Sequence, residues 1–169
     1  FTLTWLTGYA PPIQTGPSPF EGGPALGWWR EGELTLILAD SEAGAAAAAG
    51  VQTRDYVGYT IEEPLPRFEP QAAVLWEVLA GHTSLRGTVG IESNYLPAAF
   101  APVIHQALPQ VTLQPLDGRP DPLRPVKTAE EIVKIRAALR LCDLAQADIR
   151  EHAKPGLSEL ELWGGMKAR

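Results

Sequence analysis

The side chains with which this chain could do nucleophilic, acid–base or metal chemistry are few and far apart. His82, His105 and His152 are widely separated, and no His-x-x-x-His pair would put two imidazoles on one helix face for a metal ion. His105 follows Ile104 on an amphipathic stretch, the setting of a half-exposed histidine rather than a ligand. Cys142 is the single cysteine. It excludes an intrachain disulfide and a cysteine-based zinc cluster, and it reads as a small core hydrophobe. Glu62–Glu63 and the pair Asp143 and Asp148 read as solvated charges. No serine or cysteine has a nucleophile's context, and no glycine-rich phosphate loop follows a strand. The reading for this chain is therefore no catalytic residue and no metal ligand.

The residues that stand out are apolar. Trp28 and Trp29 are adjacent on a predicted strand, so they face opposite sides of its sheet. One can be core; the other must be surface, interface or edge cover, and interfaces favour tryptophan. With Phe20 from a proline-rich loop and Leu141 and Leu144 from a long helix, they form the expected interface or active-site rim.

Composition sets the frame for these sites. Of the 169 residues 45% are hydrophobic and 20% charged, the balance of a folded chain with room for one ordinary core. A net charge of −6 argues against binding a phosphate backbone. No apolar run is long enough to span a bilayer, the alanine-rich stretch at 43–50 being short and weakly hydrophobic. No secretory signal opens the chain. A cytoplasmic protein without nucleic-acid or membrane partners is expected. The first residue is Phe1 rather than Met, so the front is expected to be incomplete.

The elements that must position these residues alternate between strand and helix. "FTLTWLTGY" alternates Phe1, Leu3 and Trp5 with threonines and predicts a strand ending at Gly8. Residues 10–24 hold five prolines and three glycines and predict a loop. A hairpin follows over 27–38, turning at Glu31–Gly32, with Leu34, Leu36 and Leu38 pointing inward. Residues 42–49 predict a helix closed by Gly50. "VQTRDY" is a short strand. "PQAAVLWEVLAG" is a helix with Val74, Leu75, Val78 and Leu79 on one face. "GTVGIE" is a strand, "PAAFAPVIHQAL" a helix, and "QVTLQPL" a strand with Val111 and Leu113 on one face. This alternation implies an α/β fold, a mixed β-sheet flanked by helices.

A proline-rich stretch, "DGRPDPLRPVK", leads to the strongest helix signal. Thr128 and Glu131 have capping-box spacing, and the helix can run from about Ala129 to His152. Ile132, Ile135, Leu139, Cys142 and Ile149 form one stripe; Val133, Leu141 and Leu144 form another. Only Arg136, Arg140, Asp143 and Arg150 mark a clearly polar face. A helix apolar on several sides needs cover from several directions, which predicts a further domain or a second subunit. Ser158 and Glu161 repeat the capping-box spacing after the Pro155–Gly156 turn and begin another helix.

Four blocks of this sequence, in order and spacing, resemble the N-terminal part of the creatinase, prolidase and Xaa-Pro aminopeptidase family. They are Leu6 to Tyr9, Gly90 to Glu92, Arg124 to Ile132, and Pro155 to Glu159; the last two together are the specific ones. The loop at 10–24 and the "GWWREGE" hairpin match no family motif. The resemblance implies an N-terminal α/β domain over 1–124, a linker and long helix over 125–154, and the truncated start of a catalytic domain over 155–169. It implies a parent that is a metal-dependent Xaa-Pro dipeptidase or aminopeptidase, acting on short Xaa-Pro peptides. In that family two divalent metals (Mn, Co or Zn) are held by two Asp, one His and two Glu downstream of the Pro-Gly-x-Ser-Glu turn. None of those ligands has a counterpart here, so the fragment is expected to bind no cofactor and to be inactive alone. Its partners would be its own catalytic domain and a second copy in a homodimer, and its role oligomerisation and narrowing of access to the active site. The family has also been adapted to non-catalytic protein or peptide binding, and amidinohydrolase chemistry on creatine is a third outcome of the missing half.

Overall fold

The computed structural model describes residues 2–11, 22–62 and 65–167. Phe20 and most of the proline-rich loop therefore lie outside the described residues, as does Glu63. The chain divides into two compact units, Phe1–Pro120 and Asp121–Arg169.

The first unit is built around the predicted hairpin. Strand β1 (Leu26–Arg30) pairs antiparallel with β2 (Glu33–Ala39), in a register that sets Trp29 opposite Leu34 and Arg30 opposite Glu33. The two-residue turn needs positive φ at both positions, and Glu31 (53°) and Gly32 (92°) supply it. Helix α2 (Asp40–Ala48) carries the chain from β2 to β3 (Gln52–Tyr56), which joins the sheet parallel to β2. Gly50 closes α2 with a φ of 75°. Helix α3 (Glu69–Ala80) precedes a second parallel pair, β4 (Gly87–Ile91) and β5 (Val111–Pro115), joined through α4 (Phe100–Ala107). The described strands thus form two sheets, in the orders β1-β2-β3 and β4-β5.

Strand β2 separates two cores. Leu36 and Leu38 pack with Tyr9 and Ala46 on one side; Ile37 and Ala39 pack with Leu75, Leu79, Phe100 and Ile104 on the other. The inward alternation expected of Leu34, Leu36 and Leu38 is present. Ile37 and Ala39 add a second buried face, so β2 is a central strand covered on both sides. Leu75 and Leu79 are the buried members of the α3 stripe, with Val74 and Val78 packed partly buried beside them. Phe68 meets Phe100 edge-on, with ring centroids 5.5 Å apart.

The first segment differs from its expectation. Residues Thr2–Thr7 form a short helix, α1, not a strand. Leu3 sits over Gly27 of β1, where even one added methyl would collide with it. The Thr7 hydroxyl donates to the Leu3 carbonyl at 2.7 Å and accepts from the Tyr9 amide at 3.0 Å, closing the helix locally. Alternating threonines suit a strand, but one apolar contact and these local bonds decide for a helix.

The second unit is a 3₁₀ turn at Asp121–Leu123 followed by α5 (Ala129–His152) and α6 (Glu159–Lys167). The predicted α5 cap is complete: Glu131 N–H donates to the Thr128 hydroxyl at 3.2 Å, and Thr128 N–H donates to the Glu131 carboxylate at 2.7 Å. Ser158 and Glu161 build the same reciprocal pair ahead of α6. Both carboxylates are held below the usual carboxylate range by these bonds, to Thr128 and Ser158 respectively. None of α5's residues is buried. Cys142 is accordingly exposed, which corrects its reading as a core hydrophobe.

Gln71 is a fully buried polar residue that the α3 pattern did not single out. Its amide donates to the Pro24 carbonyl at 2.7 Å, and Tyr56 donates to the Gly23 carbonyl at 3.1 Å, so both tie the end of the long loop to the core. A Cβ at Gly23 would fall on the Gln71 amide oxygen. Gly23→Ala is therefore expected to destabilise by about 1–3 kcal/mol through overpacking. Leu36→Ala, a pure cavity at the double-faced strand, should cost about 2–5 kcal/mol. Denaturant midpoints check both, and an unchanged Gly23→Ala midpoint would contradict the first.

Candidate functional site

The first unit holds a cleft of about 270 Å³. It is apolar in character. Leu75, Leu79 and Ile104 from α3 and α4 line it, together with Ile37 of β2. Leu6, Trp29 and Tyr95, also among its lining residues, are 51%, 64% and 71% exposed. Four consecutive residues of β1, Leu26 to Trp29, line the cleft, as do four at the end of β4, Val89 to Glu92. At the β4 end the Thr2 hydroxyl donates to the Glu92 carboxylate, which fastens the start of α1 beside the end of that strand.

The polar groups around this cleft serve structure. Arg30 Nη1 and His82 Nδ1 lie 2.8 Å apart, and the His82 ring packs against Trp28 with centroids 5.7 Å apart. Arg30 also pairs with Glu31 at 2.9 Å. The indole N–H of Trp28 is buried and finds no acceptor among the described residues. Elsewhere Ser93 and the Asn94 amide both donate to Asp117, which holds that carboxyl below its usual range. Among the described residues no group of three or more His, Cys, Asp or Glu side chains comes together. His105 is exposed on α4, and His152 is tied to Asp148 within α5. The arrangement can hold apolar chain.

The site residues expected from sequence fall as follows. Trp28 is half-buried and packed on the core, and Trp29 is exposed. Leu141 and Leu144, on α5 in the second unit, are 69% and 66% exposed. Phe20 lies outside the described residues. The cleft itself was not singled out from sequence. Its one legible trace was Trp29, the member of the tryptophan pair that could not be core.

Comparison with known proteins places this geometry in a class. Residues 2–126 match the model of the creatinase/prolidase N-terminal domain, and the chain belongs to that family. Its fold is shared with solved structures: an X-Pro aminopeptidase from Thermotoga maritima MSB8 (TM-score 0.65, 17% identity, 99% of this chain and 41% of that one). A Xaa-Pro dipeptidase from Bacillus anthracis (0.58, 20%, 88% and 39%) and a prolidase from Pyrococcus furiosus (0.57, 20%, 99% and 41%) are similar in the same way. The chain thus spans about two-fifths of the length of each of these structures. No curated protein matches it. Among the described residues no helix is long and apolar enough to cross a membrane.

Two phenols near the cores give the first unit a pH signature. Burial, then the hydrogen bond and charge of Glu42, push Tyr9 well above the usual tyrosine range; its hydroxyl donates to Glu42 at 2.5 Å. Burial, then the Glu42 charge, push Tyr56 from 10.0 up to about 12. A folded pKa above the unfolded one means that the native state holds its proton more tightly. The stabilisation is complete below the unfolded value of 10.0 and is lost as pH rises through about 12. Stability should therefore fall over that window, and Tyr56→Phe should flatten part of the fall. Denaturant midpoints read against pH, with phenolate absorbance as the monitor, check this; a midpoint constant across the window would refute it.

Proposed function

We propose that this chain is the N-terminal, non-catalytic part of a metal-dependent Xaa-Pro peptidase of the prolidase or aminopeptidase P type. Its membership of the creatinase/prolidase N-terminal domain family carries the reading. Peptidases of both kinds share its fold, and it spans about two-fifths of their length. The catalytic part would lie beyond this chain and hold two divalent metals (Mn, Co or Zn), which supply a nucleophilic water near neutral pH. Among the described residues no group of three or more His, Cys, Asp or Glu suited to such a pair comes together.

Its work would be assembly and exclusion. A protein-sized wall beside an active site admits short peptides with a free N-terminus and rejects folded chains. The faces suited to contact are those with large exposed apolar residues: Trp29 in the first unit, and Leu141, Leu144, Leu160 and Trp163 on α5 and α6. At about 25 cal/mol per Å² of apolar area, covering such residues favours docking onto a catalytic domain and pairing of two copies. The lone cysteine, free and exposed, suits a reducing, cytoplasmic setting.

The test is to purify the parent and the 1–169 chain separately and supply Mn²⁺ and a Xaa-Pro dipeptide. The parent should hydrolyse it and the 1–169 chain should not. A metal-loaded parent inert toward every Xaa-Pro peptide, or turnover that follows the 1–169 chain through purification, would overturn the reading. In the parent, Leu141→Glu with Leu144→Glu should weaken self-association in sedimentation or lower stability through lost docking. A double variant with unchanged assembly and unfolding midpoint would remove α5 from the contact.

A further inference from the structure

We infer that the Lys127–Thr128 peptide bond is the site at which a protease specific for basic residues divides this protein, leaving the first unit whole. The reaction is a hydrolysis. The bond between the Lys127 carbonyl carbon and the Thr128 nitrogen breaks, and water supplies a hydroxyl to the carbon and a proton to the nitrogen. The inference stands whether or not the parent cleaves Xaa-Pro bonds.

The stretch "DGRPDPLRPVK", which leads from β5 to α5, and the turn after α5 together hold four basic residues: Arg119, Arg124, Lys127 and Lys154. Three of them precede proline, as Arg119–Pro120, Arg124–Pro125 and Lys154–Pro155. A serine protease must hand a proton to the leaving nitrogen, and a proline ring on that nitrogen fixes φ and crowds the approach. Those three bonds are therefore closed to it. Lys127 is followed by Thr128, and that bond is open.

The same bond is accessible. Lys127 and Thr128 are exposed, and Val126 beside them is 84% exposed. No residue of 124–128 belongs to a strand or a helix. Thr128 is extended (φ −71°, ψ 163°), so the chain is already straight on the leaving side of the bond. The Lys127 ammonium donates to the Arg124 carbonyl and the Thr128 amide to Glu131, both at the surface, where water can replace the partner.

The competing basic residues are held by their surroundings. Arg30 and Arg54 lie in β1 and β3, and Lys134, Arg136, Arg140 and Arg150 lie in α5. Arg67 precedes Phe68, which packs on the core, and Arg86 precedes Gly87, which is paired with Val111 in the second sheet. A cut at any of these requires local unfolding first. The long loop at 10–24 holds no lysine or arginine. The released part is complete as well: every buried residue of both cores lies between Tyr9 and Val111, and the family match ends at residue 126.

Brief digestion of the parent and of the 1–169 chain with a trace of trypsin, read by intact-mass spectrometry, tests this. The first cut before α6 should fall after Lys127, and the 1–127 fragment should keep the unfolding midpoint that its unit has in the uncut chain. Lys127→Gln should slow that cut at least about tenfold, and Lys127→Arg should leave its rate unchanged. Pro125→Ala should open a new cut after Arg124. A first cut at any other bond before α6, an unfolded 1–127 fragment, an undiminished rate in Lys127→Gln, or no new cut in Pro125→Ala would overturn the inference. A parent that is cut after Lys127 yet inert toward Xaa-Pro peptides would count against the proposed function alone.

Discussion

Strand β2 is the constraint on which the first unit depends. Leu36, Ile37 and Leu38 are all fully buried, so consecutive residues are covered from opposite sides. Such a strand requires a layer above and a layer below. The chain supplies α1 and α2 for one, with Tyr9 and Ala46 on Leu36 and Leu38. It supplies α3 and α4 for the other, with Leu79, Phe100 and Ile104 on Ile37. The hairpin before β2 and the parallel return to β3 then follow: one neighbour comes through a tight turn and the other through a crossover helix. The same double cover explains why the cleft is apolar, since α3 and α4 reach from the core of β2 to the edges of β1 and β4.

Much of this was legible in sequence because the local signals agreed with one another. Glu31–Gly32 between two apolar runs, Gly50 after an alanine helix, and Thr128 with Glu131 before a long periodic stretch each have one favoured backbone geometry, and each formed. The failures share a cause, which is dependence on distant residues. Alternation in "FTLTWLT" gives no hint that Leu3 will lie on Gly27 of a strand more than twenty residues away. Gln71 reads as the polar side of α3, and only the position of Pro24 explains its burial. Cys142 follows the apolar stripe of α5, but no residue of that helix is buried. The cleft was invisible for the same reason, since it is made by two strand edges that lie far apart in sequence.

The second unit is held differently from the first. Isolated helices draw little stability from propensity, and most helices are fixed by packing an apolar face. In α5, about 36 Å long, the large apolar residues Val133, Leu139, Leu141 and Leu144 stay mostly exposed. Its visible support is local: the Thr128–Glu131 box, acidic residues in the first turn, Arg150 and His152 in the last, and a Glu130–Lys134 pair at 3.0 Å. Exposed pairs of this kind contribute only tenths of a kcal/mol each. The helix thus combines a large exposed apolar surface with support drawn mainly from its own local bonds.

The placement of carboxylates completes the contrast between structure and chemistry in this chain. A dinuclear metal centre needs several carboxylates converging on one point with their lone pairs free. Here Glu92 takes the Thr2 hydroxyl, Glu42 the Tyr9 phenol, Asp117 the Ser93 turn, and Glu131 and Glu161 the starts of two helices. Each is committed to a neighbour at its own place in the fold, and the depressed values at Asp117, Glu131 and Glu161 record those bonds. Acidic residues dispersed in this way fix turns, caps and the seat of α1; they do not gather charge. What remains outside these bonds is apolar: the cleft lined by residues of β1 and β4, and the large exposed residues of α5.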